Sequence, residues 1–234
     1  SYLQIAHDGE VKIAEYLHEP LQLGGYDFVR GWGLPGVGDL SLLSNSSDQK
    51  VNIPGDLNAH RVVVHPRPER WVAAGWMSPI AGAVDLAPMI RHAHNACGNG
   101  VSWILELRRG GQRRVLRSGV VDRGAAAESE RVNRVAIRKG DLVSLIIGPR
   151  DGSHVCDLTE IELAINEVGG ENRRWSLAGD CADSMAEGNP HSDSLGHGDV
   201  GHFNTGLTEG SATPPAIPPG SLVAQWMDAS DPKE

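Results

Sequence analysis

The sequence predicts an all-β fold, an antiparallel β-sandwich or jelly roll with an irregular N-terminal leader and an extended C-terminal arm. The chain is 40% hydrophobic and 22% charged, and its 29 glycines and 14 prolines are typical of many short strands joined by turns. Between residues 61 and 167, short apolar segments alternate with turn signals, as in a sandwich. The predicted strands are 61–65, 71–77, 83–91, 101–108, 113–121, 133–138, 142–147 and 155–166, with a short last strand at 175–177.

The residue patterns within these segments support the strand assignments. Segment 101–108 alternates apolar with polar residues, with Ile104 as the exception, which is the pattern of a half-buried strand. The sequence Arg-Gly-Gly-Gln at 109–112 predicts a hairpin turn, and Lys-Gly-Asp at 139–141 predicts a tight turn before the apolar run 142–147. These short connections favour antiparallel neighbours.

The pattern also predicts three regions along the chain. Residues 1–60 lack sustained periodicity and are predicted to form a leader packed on the main domain, with two helical turns at 11–18. Residues 61–180 are predicted to form the sandwich. Residues 181–234 are rich in Gly, Pro and His and are predicted to form a tail or arm, with an extended proline-rich stretch at 213–220.

Charge and motifs argue against several classes of function. A net charge of −9, with no uninterrupted basic tract, argues against nucleic-acid binding. No run of about 18 apolar residues is present, so no membrane span is expected. The motif Cys-x-x-Cys-His is absent, so we expect no haem within this chain.

Nothing positive in the sequence supports an enzyme. The Gly-x-Ser-x-Gly motif is absent, and the carboxylates of Glu106, Glu160 and Glu162 are expected to face solvent on their strands. Arginines cluster around the 109–112 turn and include Arg113. They are interpreted as a solvated hairpin tip, with binding of an anionic glycan as the alternative.

Two glycine-flanked turns, 92–100 and 151–157, each carry a cysteine and a histidine and each directly precede a predicted strand. If they meet in space, they make one polar corner of the sandwich. The candidate ligand-binding residues in or beside these turns are His92, His94, Asn95, Asn99, Arg150 and His154.

The same two turns could also hold a metal ion. Imidazole and carboxylate groups suit zinc or a similar ion, for which the candidates are His92, His94, His154, Asp151 and Asp157. Calcium held by oxygen atoms is the more attractive alternative, with Asp151, Asn99 and Asp157 as ligands. Unpaired surface side chains remain the simplest interpretation of both sets.

Six tryptophans against two phenylalanines is an unusual ratio, and indole faces are good stacking platforms for sugar rings. Trp76 and Trp103 lie within predicted strands and are expected to be buried. Trp71, at the start of a strand, is the candidate for a partly exposed platform.

Several phrases carry a family resemblance: CGNGVSW at 97–103, LELRRG at 105–110, GPRDG at 148–152, CDLT at 156–159 and GNPHSD at 188–193. They resemble a β-sandwich segment of large secreted planctomycete proteins, which combine a cytochrome-c-like domain with planctomycete-specific domains of unknown function. The resemblance extends from about residue 24 to 226 and implies an extracytoplasmic module similar to a carbohydrate-binding module. Any haem would belong to another part of such a parent protein.

The two turn cysteines lie within these family phrases and directly before strands, so Cys97 and Cys156 are expected to form a disulfide. Two free thiols, or two metal ligands, are the alternatives. Cys181 lies in the predicted tail and is expected to be a free thiol.

The leading functional hypothesis is a non-catalytic extracytoplasmic module that binds a polysaccharide. The alternative is a structural module that packs against other domains of a larger parent protein. The third hypothesis is a metal-dependent enzyme, which would need several of the named His and Asp side chains to converge on an open cavity.

Overall fold

A computed structural model describes residues 2–5, 11–128 and 131–207 of the chain. The strands are β1 Tyr2–Ile5, β2 Val11–Tyr16, β3 Glu19–Gln22, β4 Val29–Leu34, β5 Val37–Asn45, β6 Val51–Asn52, β7 Asp56–Leu57, β8 Arg61–His65, β9 Arg70–Met77, β10 Gly82–His92, β11 Val101–Arg109, β12 Gln112–Val121, β13 Ala126–Glu128, β14 Val132–Ile137, β15 Leu142–Pro149, β16 Thr159–Glu167, β17 Arg174–Ser176 and β18 Gly201–Leu207. A short helix α1, Leu177–Cys181, and a 3-10 turn at Met185–Glu187 complete the described elements.

The strands form two large antiparallel sheets and one small hairpin. The seven-stranded sheet has the order β1-β2-β18-β9-β15-β11-β12. The nine-stranded sheet follows the path β13-β10-β16-β8-β5-β4-β3, with β14 paired to β10 and β17 paired to β16. Strands β6 and β7 make a separate hairpin. The predicted all-β fold, with antiparallel sheets packed as a sandwich, is confirmed.

The main core lies between the two sheets and follows the period of two expected for strands. Alternate residues of β11 from Val101 to Leu107 are buried in it, and Trp103 and Trp76 are buried as predicted. The nine-stranded sheet contributes alternate residues of β10, among them Leu86 and Ile90. Because most strands bury only one side in this core, the outer faces of both sheets remain available for polar or binding residues.

The N-terminal region differs from the irregular, partly helical leader that we expected. Val11–Tyr16 forms strand β2 rather than two helical turns, and it pairs with β1 and β18. Its β-branched Val11 and Ile13 fit a pleated sheet better than a short isolated helix. Strands β3, β4 and β5 complete one edge of the nine-stranded sheet.

The C-terminal region also enters the sandwich. Strand β18 lies inside the seven-stranded sheet between β2 and β9, and its Phe203 is fully buried. The expected boundaries at residues 60 and 180 therefore do not separate structural units. The proline-rich stretch predicted at 213–220 lies outside the described residues.

The expectation that Glu106 and Glu160 face solvent is wrong. Glu106 points to the outer face of the seven-stranded sheet, but it is completely buried because Arg108 and Arg113 both form ion pairs with it. Arg91 donates a hydrogen bond to Glu160 at 2.6 Å, and this carboxylate is buried as well. Long arginine side chains from the same strand and from neighbouring strands cover these acids, because a buried charge requires a partner.

None of the described helices is long and apolar enough to cross a membrane.

The thiol of Cys181 provides a test of the packing at the end of α1. It is free and buried, and burial, aided by the charges of Asp180, Glu162 and Asp193, raises its pKa to about 12. We expect folded protein under non-reducing conditions to resist iodoacetamide at mildly alkaline pH, because the thiolate is the reactive form. Protein unfolded in guanidinium should incorporate label at Cys181, as read by mass spectrometry. Rapid labelling of folded protein would contradict this packing.

Candidate functional site

The two cysteine-bearing loops lie at one end of the sandwich, where the chain crosses between sheets. One loop joins β10 of the nine-stranded sheet to β11, and the other returns from β15 to β16. A disulfide joins Cys97 to Cys156 across them, with a Cα–Cα distance of 5.7 Å. The predicted pairing is confirmed. Strand β16 begins at Thr159 rather than at the predicted residue 155, because the preceding residues belong to the tied loop.

A second connection fastens the loops on the side of the seven-stranded sheet. The Asn99 side-chain amide donates a hydrogen bond to the Arg150 carbonyl at 2.9 Å, and the Arg150 guanidinium donates to the Asn99 carbonyl at 3.2 Å. Arg150 also forms an ion pair with Asp122. Two of the predicted ligand-binding residues therefore contact each other and hold the corner closed.

His92 lies in the interior rather than on the corner surface. It is the last residue of β10 and continues the buried row of that strand, so none of its side chain is exposed. Its Nδ1 lies 2.9 Å from the His94 carbonyl, and its Nε2 lies 3.8 Å from Asp157 Oδ1. A surface ligand cannot reach His92 in this conformation, so we exclude it from the binding surface.

The oxygen ligands suggested for calcium are not brought together as one set. The Asp151 side chain is 84% exposed on a turn and faces Arg150, whereas Asp157 is completely buried. His94, Cys97 and Cys156 do place donor atoms within 4.8 Å of one another. Both sulfurs belong to the disulfide, however, and a metal ligand requires a thiolate. His94 Nδ1 instead contacts Cys97 Sγ at 3.3 Å.

A groove with a volume of about 400 Å³ opens beside the disulfide, on the outer face of the nine-stranded sheet. Its lining combines leucines with polar side chains: Leu21, Gln22, Leu23, Asp39, Ser41, Leu43, Ile53, Pro54, His65, His94, Cys156 and Leu158. The disulfide forms part of one wall, and the β6–β7 turn contributes Ile53 and Pro54. The tied corner and the N-terminal strands thus meet at one concave surface.

A chain of polar contacts follows the rim of this groove. One Arg67 Nη1 lies 3.2 Å from Asp39 Oδ2 and 3.0 Å from His154 Nε2. Because guanidinium can only donate, this His154 nitrogen is the acceptor. The His154 ring stands edge-on to His65 with 6.2 Å between centroids, and burial lowers the pKa of His65. At neutral pH the His65 ring at this rim is therefore a hydrogen-bonding imidazole rather than an imidazolium ion.

The remaining predicted residues do not line the groove. Trp71 is partly buried on the outer face of the seven-stranded sheet, where its indole lies so close to Gly206 that a Cβ there would be 2.5 Å from the ring. Arg113 lies on β12 next to the hairpin turn and is paired with Glu106. Asn95 is exposed in the first loop. The loops and the tryptophan do not form one site, because the groove and Trp71 occupy opposite outer faces.

Sequence reasoning did not identify most of the groove residues. Leu21, Asp39 and Ser41 come from the N-terminal region, which we expected to be irregular. One signal was present: the alternation in 40–43 resembles a strand with Leu40 and Leu42 in the core. In contrast, His94 and Cys156 were predicted as candidates because they lie in the two glycine-flanked turns.

Removing the disulfide should cost much of the stability of the chain. The bond closes a loop of 59 residues, for which the chain-entropy model gives about 4 kcal/mol. We expect the double variant Cys97→Ser, Cys156→Ser to lower the free energy of unfolding by about that amount in urea titrations. Dithiothreitol should destabilise the wild type to a similar extent and leave the double variant unchanged. Equal stability of the oxidised wild type and the variant would contradict a structural role for the bond.

No protein-family model and no curated protein matches this chain. The resemblance to secreted planctomycete proteins therefore stays a prediction from the sequence.

Proposed function

We propose that this protein is a non-catalytic β-sandwich module that binds a neutral carbohydrate in the groove beside the disulfide. The observation that carries the proposal is the composition of the groove, in which leucine side chains lie beside a carboxylate, a hydroxyl and imidazoles. Sugar rings have the matching character, since their C–H faces are apolar and their edges carry hydroxyl groups. The volume of about 400 Å³ is within the range of about 300–1,000 Å³ typical of small-ligand sites.

The polar groups of the groove are suited to hydroxyl groups. Asp39 can accept two hydrogen bonds through its carboxylate, and its side chain is 68% exposed. The ring nitrogens of His65 and His94 can hydrogen-bond to sugar hydroxyl groups, which both donate and accept. The disulfide and the strand pairing hold these side chains before a ligand arrives, which reduces the entropy lost on binding.

The charge distribution favours a neutral sugar over an anionic one. Arg108 and Arg113 are paired with Glu106, and Arg109 is paired with Asp141 at 2.6 Å. Three arginines of the hairpin are thus in ion pairs, and the hairpin lies at the opposite end of β11 and β12 from the tied corner. A disulfide that ties exposed loops is typical of an oxidising compartment, which supports an extracytoplasmic location.

Oligosaccharide binding by the wild type and by Asp39→Asn tests this function. We expect the wild type to bind at least one neutral glycan on an array, and Asp39→Asn to weaken that binding about tenfold or more, because hydrogen bonds to a charged group are the stronger ones. Asp39 has a φ of 68°, a conformation that asparagine also tolerates, so the variant should fold normally.

Two control variants locate the binding. Asp151→Asn makes the same chemical change on an exposed turn outside the groove, and Trp71→Ala alters the other outer face. Both should bind like the wild type in isothermal titration. If Trp71→Ala abolishes binding while Asp39→Asn has no effect, the groove is the wrong site. If folded wild type binds no glycan, the carbohydrate function is wrong.

A structural module that pairs with another protein domain is the second candidate. Strand β12 is an edge of the seven-stranded sheet, and its Val115 and Val120 are 47% and 56% exposed. Arg114 and Arg117 are also exposed on this strand. An exposed edge strand with these side chains suits addition of a partner strand that carries acidic residues.

Substitution of a β12 residue by proline distinguishes this candidate from the first. Val115→Pro would prevent a further strand from pairing there but should leave the groove unchanged, because β12 and the groove belong to different sheets. Val115→Thr is the control that retains strand geometry. Analytical ultracentrifugation with acidic strand-forming peptides should show a complex with the control variant and none with the proline variant. No complex with the wild type would exclude the second candidate.

A further inference from the structure

The two sulfurs of the disulfide differ in their access to the groove. Cys156 lines the groove, whereas Cys97 is not among its described lining residues. Val155, next to Cys156, is 61% exposed, so this loop projects into solvent. A thiolate that opens a disulfide attacks one of its sulfurs, and access helps to decide which one. The groove therefore presents Cys156 Sγ to a small thiol and leaves Cys97 Sγ as the departing atom.

A histidine lies beside the sulfur that would depart. His94 Nδ1 is 3.3 Å from Cys97 Sγ, and His94 Nε2 is 3.8 Å from the same atom. Because both ring nitrogens are this close, the imidazole lies against the sulfur. An adjacent imidazolium stabilises a thiolate, and a more stable thiolate leaves a disulfide faster. His94 is thus placed to assist cleavage in which Cys97 is the leaving group.

The turn that carries Cys156 holds this residue in a conformation that favours glycine. The Asp157 N–H donates a hydrogen bond to the His154 carbonyl at 3.2 Å and closes a four-residue turn. Cys156, the third residue of the turn, has a φ of 66°, in the left-handed region. Glycine or asparagine is preferred at such a position, because a larger side chain crowds the backbone there. Strained residues of this kind are concentrated at functional sites, and breaking the bond would allow Cys156 to relax.

We propose that the bond between Cys97 and Cys156 is a site of thiol–disulfide exchange, in which a small thiol in the groove attacks Cys156 and Cys97 departs beside His94. The incoming thiolate forms a bond to Cys156 Sγ. The bond between the two cysteines breaks, and its electron pair remains on Cys97 Sγ, which then takes a proton from His94 or from solvent.

A second thiol completes the exchange. It attacks the sulfur of the first thiol in the mixed disulfide, and the electron pair of that bond remains on Cys156 Sγ. In total, two thiols are oxidised to a disulfide, and the protein gains two electrons and two protons as two cysteine thiols. The proposal does not depend on carbohydrate binding, because the thiol is itself the reactant.

Reduction of the folded, disulfide-intact chain by 2-mercaptoethanol tests the proposal. The reaction is stopped at intervals with N-ethylmaleimide, and the products are identified by peptide mass spectrometry. We expect the rate to increase in proportion to the thiol concentration and to stay constant in urea below the unfolding transition. A route through global unfolding would instead accelerate with urea. At early times the mixed disulfide should be on Cys156 and the maleimide on Cys97.

Substitutions of His94 test the role of its charge. His94→Gln should slow reduction about threefold to tenfold, because the leaving thiolate loses a stabilising neighbour. His94→Lys retains a positive charge and should react at close to the wild-type rate. The matched control His18→Gln changes an exposed histidine that contacts the Tyr16 carbonyl and does not line the groove, so its rate should equal that of the wild type.

Three results would overturn the proposal. The first is reduction that accelerates with urea from the lowest concentrations, which would mean that the bond reacts only in unfolded chains. The second is a mixed disulfide on Cys97 with the maleimide on Cys156. The third is an unchanged rate in His94→Gln, or equal slowing in His94→Gln and His94→Lys. Because no glycan is present, these outcomes are independent of the carbohydrate test.

Discussion

The bond between Cys97 and Cys156 is the constraint on which the candidate site depends. The two loops that it joins cross between the sheets and contain few apolar side chains, so the hydrophobic core does little to hold them. With the bond in place, His94 and Cys156 form one wall of the groove, and Asp157 remains buried behind it. Without it, the loops would be held by the Asn99–Arg150 contacts and by backbone hydrogen bonds such as that from the Ala93 N–H to the Leu158 carbonyl at 2.8 Å. Cross-linking lowers the entropy of the unfolded chain and also fixes the loop geometry that a ligand would meet.

The opposite wall of the groove has a different physical origin. A second apolar cluster lies on the outer face of the nine-stranded sheet and includes Val29, Leu43, Leu57, Val63 and Leu158. It packs the small β6–β7 hairpin against the sheet, and Leu158 connects this cluster to the tied loop. The groove is therefore bounded by a covalent tie on one side and by hydrophobic packing on the other. This combination explains how a groove lined by both polar and apolar side chains can form on the outer face of a sheet.

The sequence predicted strands most accurately where the alternation of apolar and polar side chains was the dominant pattern. Strands β8 to β12, β14 and β15 were predicted closely because alternating side chains and glycine turns specify them locally, whereas the short β13 was not predicted. The N-terminal strands were not, because β2 pairs with β18 far along the chain and only tertiary contacts favour a strand there. His92 was assigned to the surface, although the alternation of β10 continued to residue 92 places it in the buried row. Alternation also placed Glu106 on the outer face, but it could not reveal that Arg108 and Arg113 would cover it.

Mapping of a bound sugar by nuclear magnetic resonance tests the central claim most directly. Backbone amide shifts of labelled protein would be followed while a mixture of neutral oligosaccharides is added. The account predicts that the perturbed amides cluster around the groove, near Leu23, Ser41, His65, His94 and Leu158. Perturbations centred on Trp71 and Gly206 instead would place the ligand on the opposite sheet and contradict it.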